Sequence, residues 1–382
     1  MDWPALRIDT DRFGPFTFQV GADLVALETP LLRADDAWRR FAASPLAQVA
    51  TRLQREVLVQ SVYGTNTIEG AELTEEETSQ ALDLDPASVQ AEQEIRVRNI
   101  RHAYDLAARA GDDPDWALTL SFVLAVHAEI TRDLETDDNR AGRFRDNPKT
   151  RPTVVGSEEH GGVYRPPQYG RDIARLMDGL VEWHASLTAA GLPPMVRAPL
   201  VHLYFELIHP FWDGNGRVGR VLEASLLRHA GLPYAPFAMA KYYQENIHRY
   251  FALFNQCRKL AATDRPQPNQ PFIAMHLEGL RVVCDRLHDR VNVMVAALLD
   301  DAGLRQKLDQ KAINARQYAL VRLVQDHGAP IPTRVLKADP RYRALYARLT
   351  ERTASRDLQE LQHHRLLMQD AGGNWVPGFR SL

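Results

Sequence analysis

A chain of 382 residues that is 45% hydrophobic, 25% charged and 8% aromatic has the composition of a globular protein with two or three cores, not of a disordered or fibrous one. Its net charge of -3 excludes bulk polyanion binding by the whole surface, and no run approaches the ~20 apolar residues that span a bilayer. With no basic-then-apolar leader in MDWPALRIDTDRFGPF, and Cys257 and Cys284 outside any C-x-x-C spacing, a soluble cytoplasmic protein with no membrane, disulfide or zinc framework is expected.

The first 45 or so residues, with scattered Pro and Gly, read as an irregular lead. From about Leu46 the spacing of Val49, Leu53, Val57 and Leu58 predicts a helix that ends at Gly70, a residue free to enter the left-handed region. Gly64, Asn66 and Thr67 are poor helix formers, so this helix end is expected to be marginal. Thr74 and Glu77 have the spacing of a capping box. Helices follow through EQEIRVRNIRHAYDLAARAG and WALTLSFVLAVHAEITRDL, and His127 reads as a core histidine.

The pattern then switches to a hairpin, with strands at Thr153, Val154 and Val155 and from Gly162 to Arg165, joined by a solvated tip at Glu158, Glu159 and His160. Helices resume in IARLMDGLVEWHASLTAAG, LVHLYFELIH, NGRVGRVLEASLLRHAG and KYYQENIHRYFALFNQCRKL, then from about Pro271 to Leu299. Tyr242, Asn246 and Tyr250 fall on one face of the fourth. The last 70 or so residues, with Lys and Arg about twice as frequent as Asp and Glu, carry helices in NARQYALVRLVQDHG, PTRVLKA and TERTASRDLQELQHHRLL. A terminal hairpin in LMQDAGGNWVPG completes the outline of a winged helix. The fold class expected is mainly α, in four parts: residues 1–85 as an N-terminal segment, 86–280 as a catalytic core, 281–310 as a connecting helix and 311–382 as the winged helix-turn-helix.

HPFWDGNGRVGR, His209 to Arg220, contains G-x-G-x-x-G but not the setting of a dinucleotide fold. The residues before it repeat with helical period, and no acid lies between Glu223 and Glu245 to take a ribose. No Walker loop occurs either. The stretch still points to phosphate. Gly214 and Gly216 open the backbone amides at a helix start, and Arg217 and Arg220 sit where only a strong anion offsets their repulsion from the helix dipole. Asp213 is placed to hold a divalent cation against that anion, and His209 to act as a general base. These are the parts of a phosphoryl or nucleotidyl transfer site.

These twelve residues match the H-P-F-x-[DE]-G-N-G-R-x-x-R signature, and the chain resembles the Fic-domain proteins from about residue 50 to 280, flap hairpin included. The resemblance implies a helical bundle that transfers AMP from ATP to a Tyr, Ser or Thr hydroxyl of a target protein. His209 would be the base and Asp213 the Mg2+ ligand. Asn215 and the amides of Gly214 and Gly216 would take the α-phosphate, and Arg217 and Arg220 the outer phosphates. Tyr250 would line the adenine pocket, and the flap would align the target by strand addition. Thr65 to Gly70, TNTIEG, is similar to the family's inhibitory motif, which implies that Glu69 pairs with Arg220 and restrains the enzyme in cis; in some relatives the same glutamate serves AMP removal. Glu69 closes a helix where its charge meets the negative dipole end, so a cationic partner is expected on physical grounds as well.

Three alternatives stay open: a DNA-binding regulator with the core as nucleotide sensor, transfer of another nucleotide or phosphate group, and a homodimer. DNA binding through the C-terminal module is not favoured, because Asp357 and Glu360 share its recognition helix with Arg352 and Arg356.

Overall fold

The computed structural model describes residues 3–378 apart from 86, 87, 135, 137, 264, 328–330 and 333–339. The chain divides into two compact units, Met1–Asp289 and Arg290–Leu382. Among the described residues no helix is long and apolar enough to cross a membrane.

The lead is not irregular. Strands β1 (Leu6–Asp9) and β2 (Pro15–Phe18) form an antiparallel hairpin, with Leu6 opposite Phe18. The two periods of alternation are too short to stand out beside Pro15 and Gly14, and tertiary burial decides the outcome. Phe18 is fully buried against Trp183 and Tyr204, at ring distances of 5.6 and 5.1 Å. Helix α1 (Glu28–Ala42) follows, burying Ala34, Ala37 and Phe41.

Helix α2 (Ala50–Ile68) is the helix expected before Gly70. It is followed by α3 (Glu75–Leu82), whose Thr74 hydroxyl accepts from the Glu77 amide while the Glu77 carboxylate accepts from the Thr74 amide. Helices α4 (Glu92–Asp112) and α5 (Leu120–Thr131) lead to the hairpin of β3 (Val155–Ser157) and β4 (Gly162–Tyr164). Helices α6 (Gly170–Ala189), α7 (Pro194–Ile208), α8 (Asn215–His229), α9 (Ala235–Glu245) and α10 (Ile247–Ala262) complete the bundle. Its axis is α8, packed by α4, α5, α7 and α9 and buried along nearly its whole length. Helix α11 (Gln270–Asp309) begins in the first unit, packing Gly279 against Tyr242.

The stretch expected as one helix around Tyr242 and Tyr250 is two, because Asn246 leaves the helical region (φ -118, ψ 33) between α9 and α10. Tyr242 and Tyr250 therefore belong to different helices. No proline or glycine marks this break.

The second unit runs α12 (Ala315–His327), β5 (Ile331–Pro332), α13 (Pro340–Tyr346), α14 (Glu351–His363), β6 (Leu367–Gln369) and β7 (Asn374–Pro377). The sheet order is β5-β7-β6, antiparallel throughout, and the unit's core joins Leu304 of α11 to Leu320, Ile331, Leu358 and Trp375. The short helix expected in PTRVLKA falls mostly on residues 333–338, outside the described residues. Thr350 caps α14 by accepting from the Thr353 amide. Asp357 is not a surface acid: it is fully buried and accepts from Arg316, Gln317 and Tyr346. Its charge therefore does not offset the exposed arginines of α14.

Candidate active site

Helix α7 stops because His209 turns into the left-handed region (φ 50, ψ 61), which costs an L-residue roughly 1–2 kcal/mol. Arg145, fully buried, holds the turn. Its side chain donates to the carbonyls of His209 (2.7 Å) and Ile208 (3.3 Å) and to Pro167, and its amide donates to Pro210. A cation on the terminal carbonyls of a helix is favoured by the dipole. Burial nevertheless pushes the Arg145 pKa down to about 10. The Tyr164 hydroxyl of β4 donates to the Leu207 carbonyl, tying the hairpin to the same helix end.

The loop from Phe211 to Gly214 is fixed from within. The Asn215 carboxamide accepts from the Phe211 amide and donates to the Phe211 carbonyl, both at 2.9 Å, so the side chain expected on a phosphate is committed to the loop and only its backbone amide remains. His127 lies flat on Phe211, ring centroids 3.6 Å apart. It accepts from the Gly142 amide at Nδ1 and donates from Nε2 to the Asp213 carbonyl. Gly214 has φ 83, and a side chain there would press on Ile130.

Arg217 and Arg220 do not converge on one space. Arg217 folds back on Asp213 (2.8 Å); burial pushes that carboxyl up, but the Arg217 charge and hydrogen bond, the Gly214 amide and Arg96 together hold it below its ordinary range. Arg220 faces Gly216 and is taken by α2: Nε donates to the Thr65 hydroxyl (2.7 Å), and the guanidinium donates to the Glu69 carboxylate (2.6 Å) and the Tyr250 hydroxyl (3.3 Å). Burial opposes the Arg220 charge, but Tyr250 and Glu69 outweigh it and raise its pKa. A Cβ at Gly216 would collide with the Glu69 carboxylate. The Glu69 carboxylate thus fills the space over the first turn of α8.

Behind Arg220 runs a buried polar chain. Tyr250 meets His202 Nε2 at 3.0 Å, His202 Nδ1 meets Glu223 at 2.7 Å, and Glu223 accepts from Tyr243, which also meets His276. With one proton on His202, every link from Arg220 to Glu223 has one donor and one acceptor. Burial disfavours the Glu223 carboxylate, yet His276 and His202 together lower its pKa well below the ordinary 4.5.

A cavity of about 420 Å3 is lined by Glu69, His209, Gly216, Arg220, Tyr250 and Asn255, with the hairpin along one wall. Val155 pairs with Tyr164, but Thr153 and Val154 precede the ladder. The Thr153 amide donates instead to Gln168, and its hydroxyl accepts from Asn147. His209 Nδ1 is enclosed, 3.5 Å from the Glu206 carboxylate and without a closer partner among the described residues, which leaves Nε2 as the nitrogen free for the cavity.

Residues 117–227 match the Fic/DOC family. The chain carries a Fic domain. Over 243 residues, 62% of this chain, it is 28% identical to protein adenylyltransferase Fic of Drosophila ananassae. The chain spans about half, 45%, of that relative's length. Its fold is similar to a Fic domain containing signaling protein from Bacteroides thetaiotaomicron, with TM-score 0.57, 21% identity, and 69% of this chain and 97% of the other covered. It is similar also to a Fic family protein from Desulfovibrio desulfuricans, with TM-score 0.56, 20% identity, and 94% and 97% covered.

Several residues that shape this Fic domain were not singled out by sequence. Glu206 carried a signal, the i, i+3 spacing to His209; Arg145, His202 and Glu223 carried none, since their partners lie 21 to 64 residues away. His127, expected as a core histidine, is fully buried and also holds the Asp213 carbonyl. Burial lowers its pKa from 6.5 to about 4, so its contribution to stability is whole above pH 6.5 and is lost as the pH falls through 4. We expect about 3 kcal/mol to drain over that window. Urea titrations at pH 7 and 4.5 check this: His127→Phe should show a shallower pH slope than wild type, and equal slopes would exclude His127 as the cause.

Gly64, expected only as a poor helix former, also has a packing role. A Cβ there would lie 2.8 Å from the backbone of Ala240 and Lys241, so this glycine is what lets α2 approach α9 closely. Asn66, in the same turn, agrees with the expected weakness: its buried carboxamide has no partner among the described residues. Gly64→Ala is expected to cost about 1–3 kcal/mol by overpacking and to speed amide exchange in residues 60–70; unchanged exchange would mean that α9 yields.

Proposed function

We propose that this chain is a protein adenylyltransferase that moves AMP from ATP to a Tyr, Ser or Thr hydroxyl of a target protein and is restrained in cis by Glu69. The observation that carries the reading is the Glu69 carboxylate seated on Gly216 and Arg220, at the helix terminus best suited to an anion. His209 Nε2 takes the hydroxyl proton, the oxygen attacks the α-phosphorus, and the bond to the β-phosphate oxygen breaks to release pyrophosphate. Glu206, beside Nδ1, stabilises the imidazolium that forms. The amides at the start of α8 receive the α-phosphate, and Arg220, once free of Glu69, receives an outer phosphate.

The fit for Mg2+ is good. Asp213 is half exposed, and Arg217 engages only one of its oxygens, which suits an ion that takes one or two carboxylates and keeps water and phosphate for the rest. Bound there, Mg2+ would neutralise phosphate charge. The hairpin supports docking of the target by strand addition: its sheet has two strands, and Val154 just before it and Val163 within it remain 48% and 52% exposed. A cytoplasmic setting agrees with the two buried free cysteines. In the second unit, the order helix, strand, two helices and hairpin is that of a winged helix, and with Asp357 buried a DNA role regains weight there.

Incorporation of α-labelled ATP tests the reading in wild type, Glu69→Gly and Glu69→Gly/His209→Ala. Label that rises in the single variant and vanishes in the double supports it. Silence in Glu69→Gly with ATP still bound overturns it.

A further inference from the structure

The turn between β3 and β4 keeps Glu158 and Glu159 exposed, as its sequence predicts, but it is also docked. Residues 158–160 form a 3-10 turn laid against the start of α10, and this brings His160 to His248, 88 positions along the chain. His160 Nε2 lies 3.1 Å from His248 Nδ1, and the same His248 nitrogen lies 3.2 Å from the Glu159 carboxylate. The three donor atoms all fall within 4.8 Å of one another.

Around a tetrahedral ion with bonds near 2.0–2.1 Å, neighbouring donors are about 3.3 Å apart. The edges of 3.1 and 3.2 Å are close to that value. One proton on His248 Nδ1 can serve the imidazole or the carboxylate but not both, whereas a cation between them serves all three donors. The Ser157 hydroxyl lies 2.8 Å from His160 Nδ1; accepting the proton there, it leaves the Nε2 lone pair facing His248. A ring nitrogen oriented in this way through its opposite nitrogen is the usual support of a metal-bound histidine.

We propose that Glu159, His160 and His248 bind a divalent transition-metal ion of the zinc class. Two imidazoles and one carboxylate select zinc, nickel or cobalt over magnesium or calcium, which take oxygen ligands. His248 and Glu159 are 75% and 67% exposed, so water completes the shell. The ion joins the flap to α10 beside two existing ties, Asn255 to the Gly162 carbonyl (2.5 Å) and Lys259 to the Gly161 carbonyl (2.7 Å). It would therefore stiffen the hairpin that forms one wall of the cavity. The claim does not depend on what the cavity transfers.

The test uses the full chain, stripped with a chelator and titrated with zinc chloride against a chromophoric competitor. Wild type should bind one zinc more than His160→Gln or His248→Gln, and Ser157→Ala should weaken that zinc about tenfold. Cobalt should give ligand-field absorption lost in the same two glutamine variants. Zinc should slow amide exchange in residues 155–164 of wild type only. Equal zinc binding by wild type and both glutamine variants, or none by wild type, overturns the site. Zinc bound without slower exchange overturns its stiffening of the flap. Matched melting of the metal-free proteins establishes that the variants are folded.

Discussion

Glu69→Gly is expected to raise AMP transfer roughly 10- to 100-fold. The magnitude follows from what the carboxylate does: a hydrogen bond between charged groups contributes about 1.5–3 kcal/mol, and this one ends on an arginine that is nearly fully buried. Removing it frees Arg220 and vacates the space over Gly216. Tyr250 and Thr65 still hold the guanidinium, so the arginine should stay near its present place and not collapse elsewhere. Adding His209→Ala to that background should lower transfer by roughly 10²–10⁴, the usual range for loss of a general base. Titrating ATP in the labelling assay separates the two effects: release of Glu69 should appear mainly in KM, loss of His209 in kcat.

The largest effect on stability is expected from Glu223→Ala, a loss of about 3–5 kcal/mol, as when one member of a buried ionic cluster is removed. The substitution leaves His202, Tyr243 and His276 without their shared acceptor in a region closed to water. Glu223→Gln keeps the shape and one acceptor and should cost less. Because the carboxyl pKa is depressed in the fold, the stabilisation is complete above about pH 4.5 and is lost only as the pH falls well below it. At pH 7 the alanine variant should therefore show the full deficit, read as lost amide protection in α7 and α8. Protection equal to wild type would mean that water enters and solvates the cluster.

Helices with long apolar periods, such as α4, α6 and α8, were legible from sequence, as was the contact of Glu69 with Arg220, because each rests on local spacing or on a motif. The failures have physical causes. Strands β1 and β2 give only two periods each, and their pairing is decided by burial of Phe18. The hairpin ladder begins at Val155 and not Thr153, because Gln168 takes the Thr153 amide. The break at Asn246 has no proline or glycine to announce it. The resemblance places Arg217 on an outer phosphate, but an aspartate four residues away in the same motif claims it. His160 and His248 meet only because the bundle folds.

Glu69 can also be described as a ligand on a tether. It caps the end of α2, reaches the start of α8 from outside that helix, and on the proposed reading occupies volume that a phosphate would need. Its effective concentration there is set by how firmly residues 50–68 rest on α9, and short tethers of this kind reach the millimolar range. Restraint of this sort is graded. On the proposed reading, loosening α2 from α9 lowers the effective concentration of the Glu69 carboxylate, and the response should follow the ATP concentration.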